Sequence, residues 1–167
     1  MRDEPNVLKG MLAGAMGGLV ASWTMNQFQK VWTTAEERLN GKNHQEKQDD
    51  AGEDATMKTA DRISAALQGR HLTRAEKKQA GPLVHYAFGA IMGAVYGAAA
   101  EINPAANTLA GIPFGTILFA GADEVALPAL GLSDGPAQYP LSKHVFGLVS
   151  HAVYGVTTEA VRRIARG

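Results

Sequence analysis

The chain has 167 residues, enough for one domain, and its 16 basic and 16 acidic residues leave a formal net charge of zero. A neutral chain has no bulk attraction for nucleic acid or for an anionic surface, so no nucleic-acid partner is expected. Because the chain has no cysteine, disulfides, thiolate zinc sites, cysteine-held iron–sulfur clusters and thiol nucleophiles are excluded.

Charged residues are concentrated in one segment, residues 33–80, which hold nine basic and nine acidic side chains. Four apolar windows lie outside it, at roughly 8–31, 82–100, 109–130 and 141–164, and each is close to the ~20 residues that a helix needs to cross a bilayer. The predicted organisation is a first transmembrane helix at 1–32, a polar extramembrane insertion with one or two short helices at 33–80, and three further transmembrane helices of the same domain at 81–167.

Glycine spacing favours membrane helices over the buried helices of a soluble bundle. An interior glycine destabilises a soluble helix by about 1 kcal/mol relative to alanine, whereas in a membrane helix it allows two backbones to approach closely. Glycines recur four or eight residues apart, on one face of each helix, in three of the windows. The predicted packing residues are Gly10, Gly14, Gly18, Gly89, Gly93, Gly97, Gly147 and Gly155.

Local signals divide the polar segment. The first helix is expected to continue until Asn40 and Gly41 stop it, and residues 42–54 are expected to be solvated. An amphipathic pattern then ends near Gly69, and the capping box of Thr73 and Glu76 is expected to open another short helix. Pro82 suits the first turn of the second span.

The windows match in pairs. "FGLVSHAVYGVTTE" at 146–159 repeats "FGAIMGAVYGAAAE" at 88–101 in seven of fourteen positions, and "LAGIPFG" at 109–115 repeats "LAGAMGG" at 12–18 in four of seven. A duplicated helical hairpin explains both matches. The predicted fold is therefore an all-α integral membrane four-helix bundle, built from two hairpins related by a pseudo-twofold axis and packed through glycine zippers.

The repeat also places polar residues at one end of the bundle. In its register Asn26 and Gln27 correspond to Asp123 and Glu124, and His85 and His144 lie near the starts of the second and fourth helices. His151 stands where the first copy has Gly93, on the face of His144 and about 10 Å deeper. The candidate polar network is His85, Asp123, Glu124, His144, His151, Asn26 and Gln27.

Two interpretations of this network stay open. It relays protons or an ion part of the way into the bundle, or it consists of helix caps, interfacial anchors and inter-helix contacts. A metal or haem site is a further alternative, but no Glu-x-x-His motif occurs in a span, and the adjacent Asp123 and Glu124 point about 100° apart on a helix. Only one of them is expected to face the core, and no metal or cofactor is predicted.

The favoured function is that of a non-enzymatic accessory or structural subunit, because no phosphate loop or nucleophile arrangement is present. Its expected partners are the lipid bilayer and either further copies of the chain or a larger membrane complex. In that role Tyr96 and Tyr154 would contact lipid or a partner. The arginines Arg162, Arg163 and Arg166 would complement the dipole at the end of the last helix.

Two stretches, "PLVHYAFGAIMGAVYG" at 82–97 and "GLSDGPAQYPLSKHVFGLVSHAVYGVTTEAVRR" at 131–163, resemble the YagU-like family of small bacterial inner-membrane proteins. The likeness extends loosely over residues 8–163. It implies a multi-pass location in the bacterial cytoplasmic membrane and carries no catalytic residue to this sequence. Orientation is not implied, although the excess of Lys and Arg on the side of the long loop favours a cytoplasmic loop.

Overall fold

The computed structural model describes residues 5–40 and 53–167, and these are almost entirely helical, which confirms the predicted all-α class. Within these two ranges, five helices follow one another. They are α1 (Val7–Asn40), α2 (Ala55–Gln68), α3 (Arg74–Ile102), α4 (Ile112–Leu118, Phe119–Ala126 and Leu127–Ala129 in one continuous run) and α5 (Leu141–Arg166). A 3₁₀ segment, Pro104–Gly111, leads into α4, and a single 3₁₀ turn, Pro136–Gln138, precedes α5.

The predicted helix ends agree with the structure except at Pro82. Helix α2 ends at Gly69, which adopts the left-handed conformation with φ of 67°. The capping box of Thr73 and Glu76 is formed, but it opens the long helix α3 and not a separate short one. Pro82 lies inside α3. Because the preceding residue is Gly81, there is no Cβ to clash with the proline ring, and the helix continues through. Gly41 and residues 42–52 lie outside the described residues.

Glycines set the distance between α1 and α3. A Cβ added at Gly14 would overlap the carbonyl oxygen of Gly93, and one at Gly18 would overlap that of Gly89. A Cβ added at Gly10 would likewise overlap the carbonyl oxygen of Gly97. The two helices therefore run antiparallel with their backbones in contact.

The pair α4 and α5 is also antiparallel. Gly111 meets the Gly155 carbonyl, Gly115 meets the backbone of His151, and the ring of Phe119 covers Gly147. Helix α1 joins the two pairs, because Gly17 packs against Thr158 of α5. It follows that α1 and α4 run in one direction and α3 and α5 in the other, with Asn6 and Arg166 at one end of the bundle.

Burial in this bundle is the reverse of that in a water-soluble one. The largest side chains that are fully buried are Glu159, Thr158, Ser22 and Ser150. Large apolar side chains point outward along the helices, among them Leu12 (61% exposed), Ile91 (58%) and Ile117 (69%). The interior therefore holds small and polar side chains beside a small apolar cluster, while many large apolar side chains lie on the surface.

Two of the described helices are long and apolar enough to cross a membrane: Arg74–Ile102 and Ala105–Ala129. Helices α1 and α5, with 34 and 26 residues, have the length but do not reach the same apolarity with so few charges. Among the described helices, length and composition thus support two of the four predicted spans.

Candidate functional site

The candidate site begins at a π-helical segment, Phe119–Ala126, in the middle of α4. Single π turns within α-helices occur often at functional sites. This one carries Asp123 and Glu124, and both reach α5: Glu124 contacts His144 and Asp123 faces His151. Both carboxylates therefore contact or face α5, and both side chains stay partly exposed, Glu124 at 25% and Asp123 at 39%.

Glu124 and His144 form the first pair. The Nδ1 atom of His144 lies 2.8 Å from Glu124 Oε1, and its Nε2 lies 3.1 Å from the carbonyl oxygen of Pro136. A carbonyl oxygen can only accept, so Nε2 carries a hydrogen. The 2.8 Å contact then requires a second proton, either on Nδ1 or on the carboxyl group. This pair therefore holds one exchangeable proton.

Asp123 and His151 form a second, looser pair. The Nδ1–H group of His151 donates to the carbonyl of Gly147 at 2.9 Å, which leaves Nε2 directed at Asp123 Oδ2, 3.8 Å away. His151 is only 8% exposed, whereas the Asp123 side chain is 39% exposed. A neutral imidazole that carries its hydrogen on Nδ1 and an ionised carboxylate both present acceptors at these two atoms. A donor between them would satisfy both.

Both pairs line a cavity of about 280 Å³, which we call the loop-end cavity. Helix α1 contributes Met25 and Gln29, and the segment between α4 and α5 contributes Ser133, Asp134 and Tyr139. The cavity is partly open at the end of the bundle opposite the chain termini.

The remaining predicted network residues lie near this cavity but not on its wall. His85 is close enough to interact electrostatically with His151 and Asp123, and its buried Nε2 has no hydrogen-bond partner within the described residues. Asn26 donates to the Tyr86 hydroxyl at 3.4 Å, a long hydrogen bond. Gln27 is half-buried and does not line the cavity. Gln29, which sequence reasoning missed, takes that place because it lies about half a turn further along α1.

Helix α2 braces the wall of the cavity. The guanidinium of Arg62 donates to the carbonyl oxygens of Leu130 and Gly131, at the start of the segment that bounds the cavity. Helix α2 is itself fixed to α3 through Asp61, which accepts from the Leu72 amide at 2.7 Å and lies 3.2 Å from Lys77 Nζ. The described part of the polar insertion is thus attached to the site.

The ionisation of Asp61 is expected to set the pH below which α2 is held less firmly against α3. Hydrogen bonds from His71 and the Leu72 amide, and then the Lys77 ammonium, lower the pKa of Asp61 to about 2. A carboxyl group with a lowered folded-state pKa stabilises the fold above its unfolded value of about 3.9, and this contribution is lost as the pH falls through about 2. We expect Asp61→Asn to speed hydrogen exchange in α2 relative to the parent at about pH 5. The difference should disappear toward about pH 2, and a difference independent of pH would contradict the assignment.

A second polar group, the terminal-end cluster, lies at the other end of the bundle. Glu159 (1% exposed) accepts from the Tyr96 hydroxyl at 2.9 Å, from Arg162 Nε at 2.7 Å, and from Arg163. Glu101 binds Arg166 Nε at 2.7 Å and accepts from the backbone amide of Asn6 at 2.9 Å. The cluster joins α1, α3 and α5.

The terminal-end cluster corrects two expectations. The three arginines neutralise buried glutamates and do not only complement the helix dipole, and Tyr96 is 3% exposed, in the core and not at a lipid or partner surface. Tyr154 is likewise buried, and its hydroxyl donates to the Gly89 carbonyl at 2.6 Å. The sequence did contain a sign of this cluster, because the two copies of the repeated stretch both end in a glutamate, Glu101 in the first and Glu159 in the second.

An apolar layer lies between the two polar groups. Ala21, Met25 and Tyr154 form its buried centre, and Phe114 and Leu118 pack against them.

In the described part of the chain, no group of three or more His, Cys, Asp or Glu side chains is arranged to hold a metal ion.

The chain matches no curated protein and no solved structure. A family model described as "Protein of unknown function (DUF1440)" matches residues 63–160, which is more than half of the chain. The matched region starts within α2 and includes both histidine–carboxylate pairs and Glu159. The chain belongs to the DUF1440 family, whose function is not known.

Proposed function

We propose that this chain is a multi-pass protein of the bacterial inner membrane, in which α1, α3, α4 and α5 cross the bilayer as a four-helix bundle. The reversed burial carries the proposal. An apolar side chain such as Leu12 or Ile117, left exposed, forgoes about 1.5–3 kcal/mol of burial in water, whereas lipid tails solvate it. The inner-membrane location follows the resemblance to the YagU-like family.

To cross the bilayer, helices α1 and α5 can be less apolar than α3 and α4 because of where they lie in the bundle. Helix α1 contacts both α3 and α5, and three ionisable residues of α5 face inward: His151, Glu159 and Arg162 are all at most 8% exposed. Polar residues in membrane helices typically face the interior of the bundle and pair there. The proposal predicts that washing membranes at high pH leaves the chain in the pellet. Release of folded protein into plain buffer would overturn it.

Glycine contacts support a duplicated hairpin with glycine-zipper packing. In both antiparallel pairs a glycine of the first helix meets a carbonyl of the second: Gly10 with Gly97 in one, Gly111 with Gly155 in the other. By these contacts, Gly10 in the first pair corresponds to Gly111 in the second. The sequence match instead aligned Gly14 with Gly111, so the two alignments differ by about one helical turn. His151 replaces a glycine, but it contributes its backbone to the contact at Gly115.

Within the membrane, we propose that the chain acts as a non-enzymatic accessory or structural subunit. The apolar layer around Tyr154 supports this role, because it places packed apolar side chains between the two polar groups. The partners would be lipid and either copies of the chain or a larger complex. A native mass in mild detergent well above that of the monomer is expected, and a stable monomer in both detergent and liposomes would contradict the role.

A proton pathway is the second candidate function, favoured by the two histidine–carboxylate pairs in an open cavity. It requires the layer around Tyr154 to open. If the pathway exists, liposomes containing the parent should show proton flux, and His151→Ala should reduce it about tenfold or more. Gly135→Ala, in the loop and with no atom within 4 Å of an added Cβ, is the matched control. Equal, negligible flux in parent and variant removes the pathway and leaves the accessory role.

A further inference from the structure

We propose that the loop-end cavity binds a small primary ammonium ion, R–NH₃⁺, between Asp123 and His151, in competition with a proton. This site shares two residues with the proton pathway, but it holds whether or not protons cross the bundle. The ligand class follows from the donors and acceptors at the pair, the charge of the wall and the size of the cavity.

The pair lacks a donor. His151 uses its Nδ1–H group on the Gly147 carbonyl, and its Nε2 faces Asp123 Oδ2 across 3.8 Å, too far for a direct hydrogen bond. The His151 side chain is 10% exposed and lines the loop-end cavity, so a ligand that enters the cavity can reach its unused acceptor. An ammonium nitrogen about 2.9 Å from each atom would donate to both and would carry the charge that Asp123 requires.

The cavity wall favours a cation. Its carboxylates are Asp123, Glu124 and Asp134, and its one ammonium group within the described residues is that of Lys143. Glu124 and His144 share a proton, and Asp123 and Asp134 outnumber the Lys143 ammonium group, so the wall is negative when His151 is neutral. Glu124 is engaged by His144 at 2.8 Å, which leaves Asp123 and Asp134, and of these Asp123 is the one that faces His151.

The apolar part of the wall suits a short carbon chain. Phe119, Phe146 and Leu127 line the cavity beside the polar pair, and aromatic faces attract a nearby cation as well as alkyl groups. A volume of about 280 Å³ holds an amine of a few carbons. A quaternary ammonium ion has no N–H group and cannot satisfy the two acceptors.

A proton competes for the same place. One proton on Nε2 of His151 makes an ion pair with Asp123 and removes the acceptor that the ammonium needs. Titratable groups that face this pair are His85 from α3, Glu124 from α4, Lys143 and His144 from α5, and Asp134 and Tyr139 from the intervening segment. Helix α1 presents only the amide of Gln29 and the thioether of Met25. Binding of R–NH₃⁺ to the protonated pair therefore releases one proton, and the charge of the site is unchanged.

The test is calorimetric titration of the full-length chain in lipid nanodiscs with propylammonium and with tetramethylammonium. Two buffers of different protonation enthalpy report the protons released. We expect saturable binding of propylammonium with release of up to about one proton per ligand, and about tenfold or more weaker binding of tetramethylammonium. Asp123→Asn should weaken propylammonium binding by a similar factor. Glu36→Gln, an exposed carboxylate on α1 away from the cavity, should not change it.

Three results would overturn the proposal: no saturable binding of propylammonium to the parent, equal binding by Asp123→Asn, or equal affinity for the two ions. If Asp123→Asn does not fold, His151→Phe keeps the ring shape without nitrogen atoms and should lose the affinity in its place. Proton flux is a separate measurement, so loss of binding leaves the flux result standing, and negligible flux leaves the binding result standing.

Discussion

Replacing Glu159 by alanine is expected to destabilise the folded chain by about 3–5 kcal/mol, because it removes the carboxylate that is hydrogen-bonded to the buried Arg162. Arg162 is 5% exposed and gives two hydrogen bonds to this carboxylate, at 2.7 and 3.0 Å. The Tyr96 hydroxyl loses its acceptor as well. Thermal unfolding in detergent micelles measures the loss.

Two control variants separate charge from volume at this position. Glu159→Gln keeps the size and one acceptor but removes the charge, so it should unfold between the parent and Glu159→Ala. Glu36→Gln removes an exposed carboxylate on α1 and should leave the unfolding temperature unchanged. If Glu159→Ala unfolds at the temperature of the parent, the terminal-end cluster does not hold the helices together.

Adding a single methyl group at Gly14 is expected to destabilise the bundle by about 3 kcal/mol or more, near the upper end for overpacked interiors. The new Cβ would overlap the carbonyl oxygen of Gly93, and a backbone atom cannot rotate away as a side chain can. Helices α1 and α3 would have to separate along their common face. Gly14→Ala in a detergent unfolding series tests this expectation.

Gly121→Ala is the matched control for Gly14→Ala. Gly121 also lies in a helix, but a Cβ there would have no neighbour within 4 Å. Alanine is the better helix former, so this variant should be neutral or slightly more stable. Equal unfolding temperatures for the two variants would show that the contact between α1 and α3 tolerates a methyl group.

Local signals in the sequence were sufficient for helix ends. The stop at Gly69 and the capping box of Thr73 and Glu76 depend on a few neighbouring residues, and both are formed, although the box opens the long helix α3 and not the predicted short one. Pro82 was misread because its usual role at a helix start was applied without the effect of Gly81, which relieves the clash that would otherwise end the helix.

Contacts across the bundle were only partly predictable. The spacing of Gly10, Gly14 and Gly18 indicated a contact face, but not that each would meet a carbonyl of α3. The π-helical segment that carries Asp123 and Glu124 was not predicted, because a hydrogen-bond pattern of that kind leaves no mark in residue spacing. Pairing of Glu101 with Arg166 joins residues 65 apart, which no local pattern reveals.

The outward position of the apolar side chains is tested most directly by spin-label accessibility in liposomes. Since the chain has no cysteine, single cysteines at Leu12, Val95 and Ile117 can be labelled one at a time, with Ala21 as the buried control. We predict high accessibility to oxygen and low accessibility to a water-soluble nickel reagent at the first three positions, and low accessibility to both at Ala21. Ready access of the nickel reagent to Leu12, Val95 and Ile117 would contradict a bilayer around the bundle.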